Sequence, residues 1–219
     1  MKFEDINLII NDKRIMKNKL NIIDPDELKK KEREISATGI LKALKMSGDF
    51  SFEHLCKIHK TIFGRLYDWA GKPREWNIEK GQAILNGQTV DYYPYFFMRT
   101  AFGDLKKMMD KTDLINMSTN QKVDSIAFLW SSIWQIHPFP EGNTRTTATF
   151  MEAFLTSKNI NLDFNYLNSK PDEFRNSLCL YTKEKQKPLI SFIRNAILPE
   201  NERTNVVVEP LKSTSEMEL

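Results

Sequence analysis

The chain of 219 residues has a hydrophobic content of 41% and carries 32 basic and 29 acidic side chains, for a net charge of +3. This length suits one domain with a sizeable core. The charges nearly balance and no basic run is longer than Lys29–Lys31, so nucleic acid is a poor candidate partner.

Features that would direct the chain to a membrane or to export are missing from the sequence. No window reaches the roughly 18 apolar residues of a membrane helix, and the N-terminus lacks the pattern of a cleaved signal peptide. We therefore expect a cytoplasmic protein with no membrane span, although later export by a route without a cleaved signal stays open. Cys56 and Cys179 lie far apart among apolar neighbours, which favours free thiols over a disulfide.

The first quarter of the chain predicts two amphipathic helices. Acids and a proline in the run Asp24–Asp26 are typical of a first helical turn, and apolar residues then recur up to Gly48. Ser51 begins the next helix, in which apolar residues recur every three or four positions as far as Phe63.

The segment from Leu66 to Asp91 has a different character, with short apolar runs separated by glycine, proline and asparagine. The pair Asn86–Gly87 predicts the turn of a small β-hairpin whose arms are Ala83–Leu85 and Gln88–Val90. An isolated hairpin is marginally stable, so this one must pack on the helices.

Helical periodicity returns in the second half of the chain. One helix is predicted from Tyr92 to Asp110, and another begins at Ser118 or Thr119, either of which could cap it. Three more are predicted at 146–157, 172–183 and 188–198. The fold class is therefore all-α with one small β-hairpin. We expect an N-terminal helical region at 1–50 packed on a core at 51–198, followed by a polar, flexible tail at 199–219.

The run HPFPEGNTRTTATF, residues 137–150, combines several chemically active side chains directly before an apolar stretch. His137 and Glu141 are four residues apart, but Pro138 and Pro140 disfavour a helix between them. Both side chains therefore lie on a loop, and the next helix begins near Gly142 or a residue later.

The start of that helix is suited to bind an anion. Backbone N–H groups from Gly142 to Thr146 lack intrahelical acceptors and attract phosphate, and Asn143 and Arg145 add donors. Glu141 suits a Mg²⁺ ion that bridges phosphate oxygens, and His137 suits a general base.

Each of these features alone more often has a structural role. A histidine at a helix end commonly interacts with the helix dipole, and an asparagine commonly caps a helix. Their combination in nine residues favours a phosphate site. The other two histidines, His54 and His59, are five apart on a predicted helix and therefore face different ways, so we interpret them as structural.

At these residues the sequence resembles the Fic family, enzymes that transfer part of a nucleotide, usually the AMP moiety of ATP, to a hydroxyl side chain of a target protein. The family motif is H-x-F-x-D/E-G-N-G-R-x-x-R. Its counterparts in this chain are His137, Phe139, Glu141, Gly142, Asn143 and Arg145. The segment LYDWAGKPREWNIEKG, residues 66–81, is similar to the one leading into the family's flap, a hairpin that docks the target by strand addition. The resemblance covers about Ser51 to Leu198 and implies a Fic-type helical bundle.

The resemblance implies a role for each matching residue. His137 would take the proton from a Ser, Thr or Tyr hydroxyl of the target protein, and Glu141 would hold Mg²⁺. Phe139 would be buried and anchor the loop. The transferred and leaving phosphates of ATP, or of another nucleotide donor, would be bound by Gly142, Asn143, Thr144 and Arg145. The flap residues that would present their backbone to the target are Ile78, Glu79, Lys80, Gly81 and Gln82.

Two positions depart from the family motif. Thr144 stands where the family has glycine, and Ala148 replaces the second arginine. Loss of one charge-assisted contact weakens nucleotide binding by about 1.5–3 kcal/mol, or roughly ten to a hundred fold. The same alanine removes the partner of the glutamate in the family's inhibitory pattern S/T-x-x-x-E-G/N. Ser36 and Thr214 each match that pattern only in part, so we expect no intramolecular inhibition of this kind. A separate inhibitory protein stays open.

The sequence thus supports two functions of different classes. The first is a Mg²⁺-dependent transferase whose donor is ATP or another compound, such as GTP, UTP or a diphosphate-linked choline. The second is a catalytically degenerate Fic-fold scaffold that binds proteins. The intact motif residues favour the transferase, and the two departures favour the scaffold.

Overall fold

The structure is a computed structural model that describes residues 6–10 and 13–197. The predicted tail at 199–219 lies outside these residues, and the division of the chain at residues 50 and 198 stays a prediction. The described part contains a two-stranded antiparallel sheet, β1 (Asn7–Ile10) and β2 (Lys13–Met16). Its helices are α1 (Pro25–Ala43), α2 (Phe52–Phe63), α3 (Met98–Lys111), α4 (Thr119–Ile136), α5 (Asn143–Ser157), α6 (Phe164–Ser169), α7 (Pro171–Tyr181) and α8 (Lys187–Ala196).

Three of these helices begin at side-chain caps that the sequence indicates. Asp24, Ser51 and Ser118 each accept a hydrogen bond from the backbone N–H three residues further on. Ser118 also forms a capping box with Gln121, which places the start of α4 at the first of its two candidate caps. These local bonds satisfy N–H groups that would otherwise lack acceptors.

The core is arranged around α4, which packs against α3, α5, α7 and α8. The side chains of Ile126, Trp130, Ile133 and Trp134 in α4 are buried, and each large apolar side chain contributes roughly 1.5–3 kcal/mol on burial. α5 packs between α4 and α2. The loop that joins α4 to α5 is therefore supported on both sides by the core, and it is the loop that carries the motif.

The predicted helix from Tyr92 to Asp110 was wrong at its start. α3 begins only at Met98, after a single 3₁₀ turn at Tyr95–Phe97. Pro94 explains the difference, because the residue before a proline is disfavoured in the helical region.

The small hairpin is formed around the predicted turn, with Asn86 and Gly87 both at positive φ. Its predicted arms were wrong. Residues Ala83–Leu85 form a 3₁₀ turn, and strand pairing is limited to one bridge between Gly81 and Thr89. The reason is local, since the backbone of Gln82 bonds to residues 87 and 88 and closes the loop early.

Three elements were missing from the sequence prediction. The strands β1 and β2 lie within the region 1–50 that was predicted as helical, and their pairing runs from Asn7 with Met16 to Ile10 with Lys13. Ile6 and Ile15 are buried there. The short helix α6 was also missed. Segments of four to six residues carry too little periodicity to be recognised.

Both cysteines are free thiols, with Cys56 half-buried and Cys179 buried, as expected. Among the described helices, none is both long enough and apolar enough to span a bilayer.

Candidate active site

His137 ends α4 in the left-handed conformation, with φ 49° and ψ 58°. The side chain is buried, and its Nδ1 lies 3.3 Å from the Trp134 carbonyl oxygen. A carbonyl only accepts hydrogen bonds, so Nδ1 carries the proton and Nε2 is left as an acceptor, which bonds to no other described residue. Burial, followed by the positive charge of Lys80, holds the pKa of His137 well below its usual range. The imidazole is therefore neutral and able to accept a proton.

Asn143 does not direct its amide toward a ligand as expected. Its Nδ2 donates to the Phe139 carbonyl oxygen at 2.7 Å, and its Oδ1 accepts from the Phe139 N–H at 2.9 Å. Both residues are buried, and a buried amide takes the backbone partners within its reach. The Asn143 side chain thus closes the loop, and only its backbone N–H stays available to an anion.

Gly142 supplies the turn into α5, and no other residue fits there. Its φ is +79°, and an added Cβ would lie 2.4 Å from the Phe63 ring. The N–H groups of Gly142 and Thr146 bond to Glu141 Oε1 and to the Gly142 carbonyl oxygen. The expected anion site is accordingly smaller than predicted: three N–H groups, those of residues 143–145, lack an acceptor among the described residues.

Thr144, one of the two departures from the motif, is bound to α4. Its Oγ1 accepts a hydrogen bond from Trp134 Nε1 at 3.0 Å. The hydroxyl is therefore engaged by the protein, and a phosphate at the helix end would meet the Thr144 backbone N–H.

Glu141 forms an ion pair across the site with the flap. Its Oε2 lies 3.2 Å from Lys80 Nζ, which also donates to the Pro140 carbonyl oxygen at 2.9 Å. Burial raises the pKa of Glu141, but the Lys80 ammonium and the Gly142 N–H outweigh it and lower the pKa overall. The carboxylate is therefore ionised at neutral pH.

The surroundings of Glu141 fit a magnesium ion that arrives with a nucleotide. No cluster of three or more acidic, histidine or cysteine side chains occurs in the described ranges. Mg²⁺ commonly takes one or two carboxylates and completes its shell with phosphate oxygens and water. Glu141 provides one carboxylate, and a Mg²⁺ ion would compete with the Lys80 ammonium for it.

Arg145 is not free to bind phosphate, contrary to expectation. Its guanidinium donates to Ser36 Oγ at 2.9 Å and to the Glu32 carboxylate, and it stacks over the Phe63 ring at 4.8 Å. The Arg145 side chain is 33% exposed and that of Glu32 only 13%. α1 therefore holds the cation that should face the leaving phosphates. The partial match at Ser36 did not predict this contact.

His59 was interpreted as structural only, and its contacts place it beneath the motif loop. Its Nδ1 accepts from the Gly71 N–H at 2.8 Å, so its Nε2 donates to the Glu141 carbonyl oxygen at 3.1 Å. The ring stacks on Phe139 at 3.8 Å, which is buried as the resemblance implies. Burial lowers the pKa of His59 to about 3, so this neutral residue supports the loop rather than titrating.

Arg74 is a second residue that the sequence analysis missed. It is buried, and its backbone N–H donates to the Pro138 carbonyl oxygen at 2.8 Å. Its guanidinium also contacts the motif loop. Nothing in the spacing of the segment before the flap singles it out, because all but one of its hydrogen-bond partners lie far along the chain.

The five predicted flap residues have different surroundings. Ile78 and Glu79 line a cavity of about 650 Å³ together with Lys80 and Glu141, and Gly81 pairs with Thr89. The backbone groups of Ile78 and Glu79 bond to no other residue that the structure describes. Gln82 is a correction: it is 1% exposed, and its backbone bonds within the hairpin. It therefore stabilises the flap and has no backbone group available to a target strand.

Comparison with known proteins agrees with this fold and loop. Residues 49–155 match the family model described as the Fic/DOC family. Among curated relatives, the protein adenylyltransferase VbhT of Bartonella schoenbuchensis is 30% identical over 144 residues, or 63% of this chain and 28% of VbhT. The probable protein adenylyltransferase y4lH of Sinorhizobium fredii is 26% identical over 184 residues, or 84% of this chain and 91% of that protein.

Solved Fic domains share the fold at low sequence identity. The type IV secretion effector BepA has a TM-score of 0.72 at 19% identity, covering 89% of this chain and 69% of its own. BepC of Bartonella tribocorum, solved with bound AMPPNP, has a TM-score of 0.69 at 18% identity, covering 84% and 92%. Residues 49–155 therefore form a domain of the Fic/DOC family, and the fold of the described chain is the Fic-type helical bundle.

Proposed function

We propose that this protein transfers AMP, or another nucleotide or phosphate-containing group, from a nucleotide to a Ser, Thr or Tyr hydroxyl of a target protein. The observation that carries the proposal is a neutral His137 whose Nε2 is available, on a loop that ends at an open helix N-terminus. Among the relatives of this protein, VbhT is named a protein adenylyltransferase and y4lH a probable protein adenylyltransferase. BepC was solved with bound AMPPNP, and together these findings support a nucleotide donor.

The residues of the loop divide the work of an AMP transfer. The target hydroxyl gives its proton to His137 Nε2, its oxygen bonds to the α-phosphorus, and the bond to the leaving diphosphate breaks. The N–H groups of residues 143–145 stabilise the charge on the transferred phosphate. Glu141 would hold Mg²⁺, which when bound neutralises phosphate charge. Arg145 would bind the leaving phosphates once it separates from Glu32.

The flap serves the same reaction as the docking surface. Ile78 and Glu79 offer backbone groups that have no partner in the described part of the chain, and an extended target segment can bond to them. The next flap residue, Lys80, donates to Glu141. Regulation by a separate inhibitory protein is part of the proposal, because the family's own inhibitory pattern has no convincing match in the chain.

The proposed function is tested by intact-mass spectrometry of the purified protein after incubation with Mg²⁺ and each of ATP, GTP, UTP and CTP. We expect one donor to add a mass equal to its nucleotide monophosphate less water, and EDTA to prevent the gain. Calorimetric titration of the same nucleotides provides the decisive second measurement. A protein that neither gains mass nor binds any nucleotide contradicts the proposal and leaves the scaffold function.

Restoring the missing arginine tests our account of position 148. Ala148 is partly buried on α5, and Glu152 follows it by one helical turn. Burial raises the pKa of Glu152 to about 8, and its carboxyl has no ion pair with any described residue. An arginine at 148 can therefore bond either to phosphate or to Glu152. We expect adenylyl transfer to rise about ten to a hundred fold in Ala148→Arg/Glu152→Gln, and less in Ala148→Arg alone.

The matched control is Ala148→Gln/Glu152→Gln, which adds length without charge and should leave the rate unchanged. The measurement is the initial rate of mass gain with ATP. Equal rates in the arginine and glutamine variants would show that the missing cation does not limit ATP use.

A further inference from the structure

We propose that Arg74 is the positioning residue for His137 and that its guanidinium places the imidazole for proton transfer. This inference rests on the proposed function of His137, but the contacts that carry it are independent of any reaction. Three consecutive carbonyl oxygens where α4 passes into the motif loop, those of residues 136, 137 and 138, all accept hydrogen bonds from this one residue.

The bonds converge on the backbone at the end of α4. Arg74 Nε donates to the His137 carbonyl oxygen at 2.9 Å, and a terminal nitrogen donates to that of Ile136 at 3.2 Å. The backbone N–H of Arg74 reaches the Pro138 carbonyl oxygen at 2.8 Å. The last carbonyls of a helix have no intrahelical donor, and here Arg74 supplies one to Ile136, the last residue of α4, and two more to the residues that follow it.

The other end of the guanidinium joins the loop to the segments around the flap. Its terminal nitrogens donate to the carbonyl oxygens of Trp76 at 2.6 Å and Tyr93 at 2.5 Å. Tyr92, the neighbour of Tyr93, packs its ring 4.3 Å from that of His137. Arg74 therefore determines both the backbone that bears the imidazole and the position of the ring that packs against it.

Arg74 cannot take part in catalysis by touching the substrate. The residue is 1% exposed, and the hydrogen bonds of its guanidinium go to carbonyl oxygens. A planar fork with five donors is suited to this arrangement, whereas a lysine ammonium offers three donors at a single point. Its effect on the reaction must therefore pass through His137.

The conformation of His137 shows why such support is needed. A non-glycine residue in the left-handed region is unfavourable and persists only where its surroundings hold it. In that conformation the ring bonds through Nδ1 to Trp134 and presents Nε2. Loss of the Arg74 bonds should let residue 137 relax and allow the ring to populate its other tautomer.

The test is a ¹⁵N NMR spectrum of the histidine rings at neutral pH in the wild type, Arg74→Lys and Arg74→Gln. The chain has three histidines, and His59, with Nε2 protonated by its own contacts, is an internal control. We expect His137 to carry its proton on Nδ1 in the wild type, to give averaged or doubled signals in Arg74→Gln, and to be intermediate in Arg74→Lys. His59 should stay unchanged in all three.

A kinetic arm separates positioning from general loss of structure. Arg74→Gln should lower kcat for nucleotide transfer at least tenfold and leave the nucleotide Kd within a factor of two, with Arg74→Lys restoring part of the rate. Arg99→Gln, which removes an exposed arginine paired with Glu53, should change neither value. An unchanged His137 spectrum in a folded variant overturns the proposal. If Arg74→Gln does not fold, the spectrum of Arg74→Lys provides the test instead. The spectrum needs no transfer activity, so failure of the proposed function would be seen separately.

Discussion

We expect the His137→Ala variant to lose nucleotide transfer by a factor of about 10²–10⁴, the usual contribution of a general base. The reason is specific to the site, since the loop presents the neutral imidazole with an available Nε2, whereas its carboxylate, Glu141, is paired with Lys80. Nucleotide affinity should change little, because the anion site is formed by backbone N–H groups beyond the loop. Intact-mass spectrometry measures the rate, and calorimetry the affinity.

The matched control for this variant is His54→Ala. His54 is also buried in the core, where its Nδ1 accepts from the Phe50 N–H, so its loss should lower the melting temperature and leave the rate per folded molecule intact. If mass gain persists in His137→Ala, the assigned base is wrong.

The assignment of His137 as the general base also predicts how the transfer rate depends on pH. Burial and the cations of Lys80, Arg74 and Arg175 all disfavour the imidazolium and lower the pKa of His137 well below 6.5. A lowered pKa keeps the ring unprotonated as the pH falls, so the transfer rate should not decline from pH 8 to about pH 6 on account of this group. A rate that halves near pH 6.5 would contradict the lowered pKa.

The second large effect is expected from Glu32→Gln in α1. This change removes the negative charge that holds Arg145 and keeps the shape of the side chain. Arg145 can then bind phosphate without giving up an ionic partner. Because a hydrogen bond to a charged group contributes about 1.5–3 kcal/mol, nucleotide affinity should rise at least about tenfold. The measurement is calorimetric titration with ATP and Mg²⁺.

Two further variants test whether the gain in affinity comes from releasing Arg145. Glu34→Gln removes a carboxylate from the same helix whose one ion pair among the described residues is with Lys31, and it should leave affinity unchanged. Adding Arg145→Gln to Glu32→Gln should abolish the gain. Affinity that falls in Glu32→Gln would show instead that Glu32 orients Arg145 toward the phosphates.

The parts of the candidate site that the sequence predicted are those set by neighbouring residues. The prolines at 138 and 140 keep the loop out of a helix, and Gly142 supplies the left-handed turn into α5. Helix caps at Asp24, Ser51 and Ser118 follow the same logic, because each bond spans three residues. The sequence prediction was wrong at the hairpin arms because the backbone of Gln82 bonds to residues 87 and 88. These bonds take the place of the strand pairing that was predicted.

The sequence by itself determined the resemblance to the Fic family, the all-α class and the order of the motif residues. Motif spacing and helical periodicity are both local properties of the chain. Only the tertiary structure decided which partners those residues have. Arg145 contacts Glu32, which is 113 positions away in the sequence. His59 contacts the carbonyl of Glu141, 82 positions away, and Arg74 contacts the carbonyl of His137, 63 positions away. Such contacts depend on how α1, α2 and the segment before the flap pack around α5, and packing is cooperative over the whole core. Whether Arg145 is free for phosphate is therefore a property of the folded chain and not of the motif.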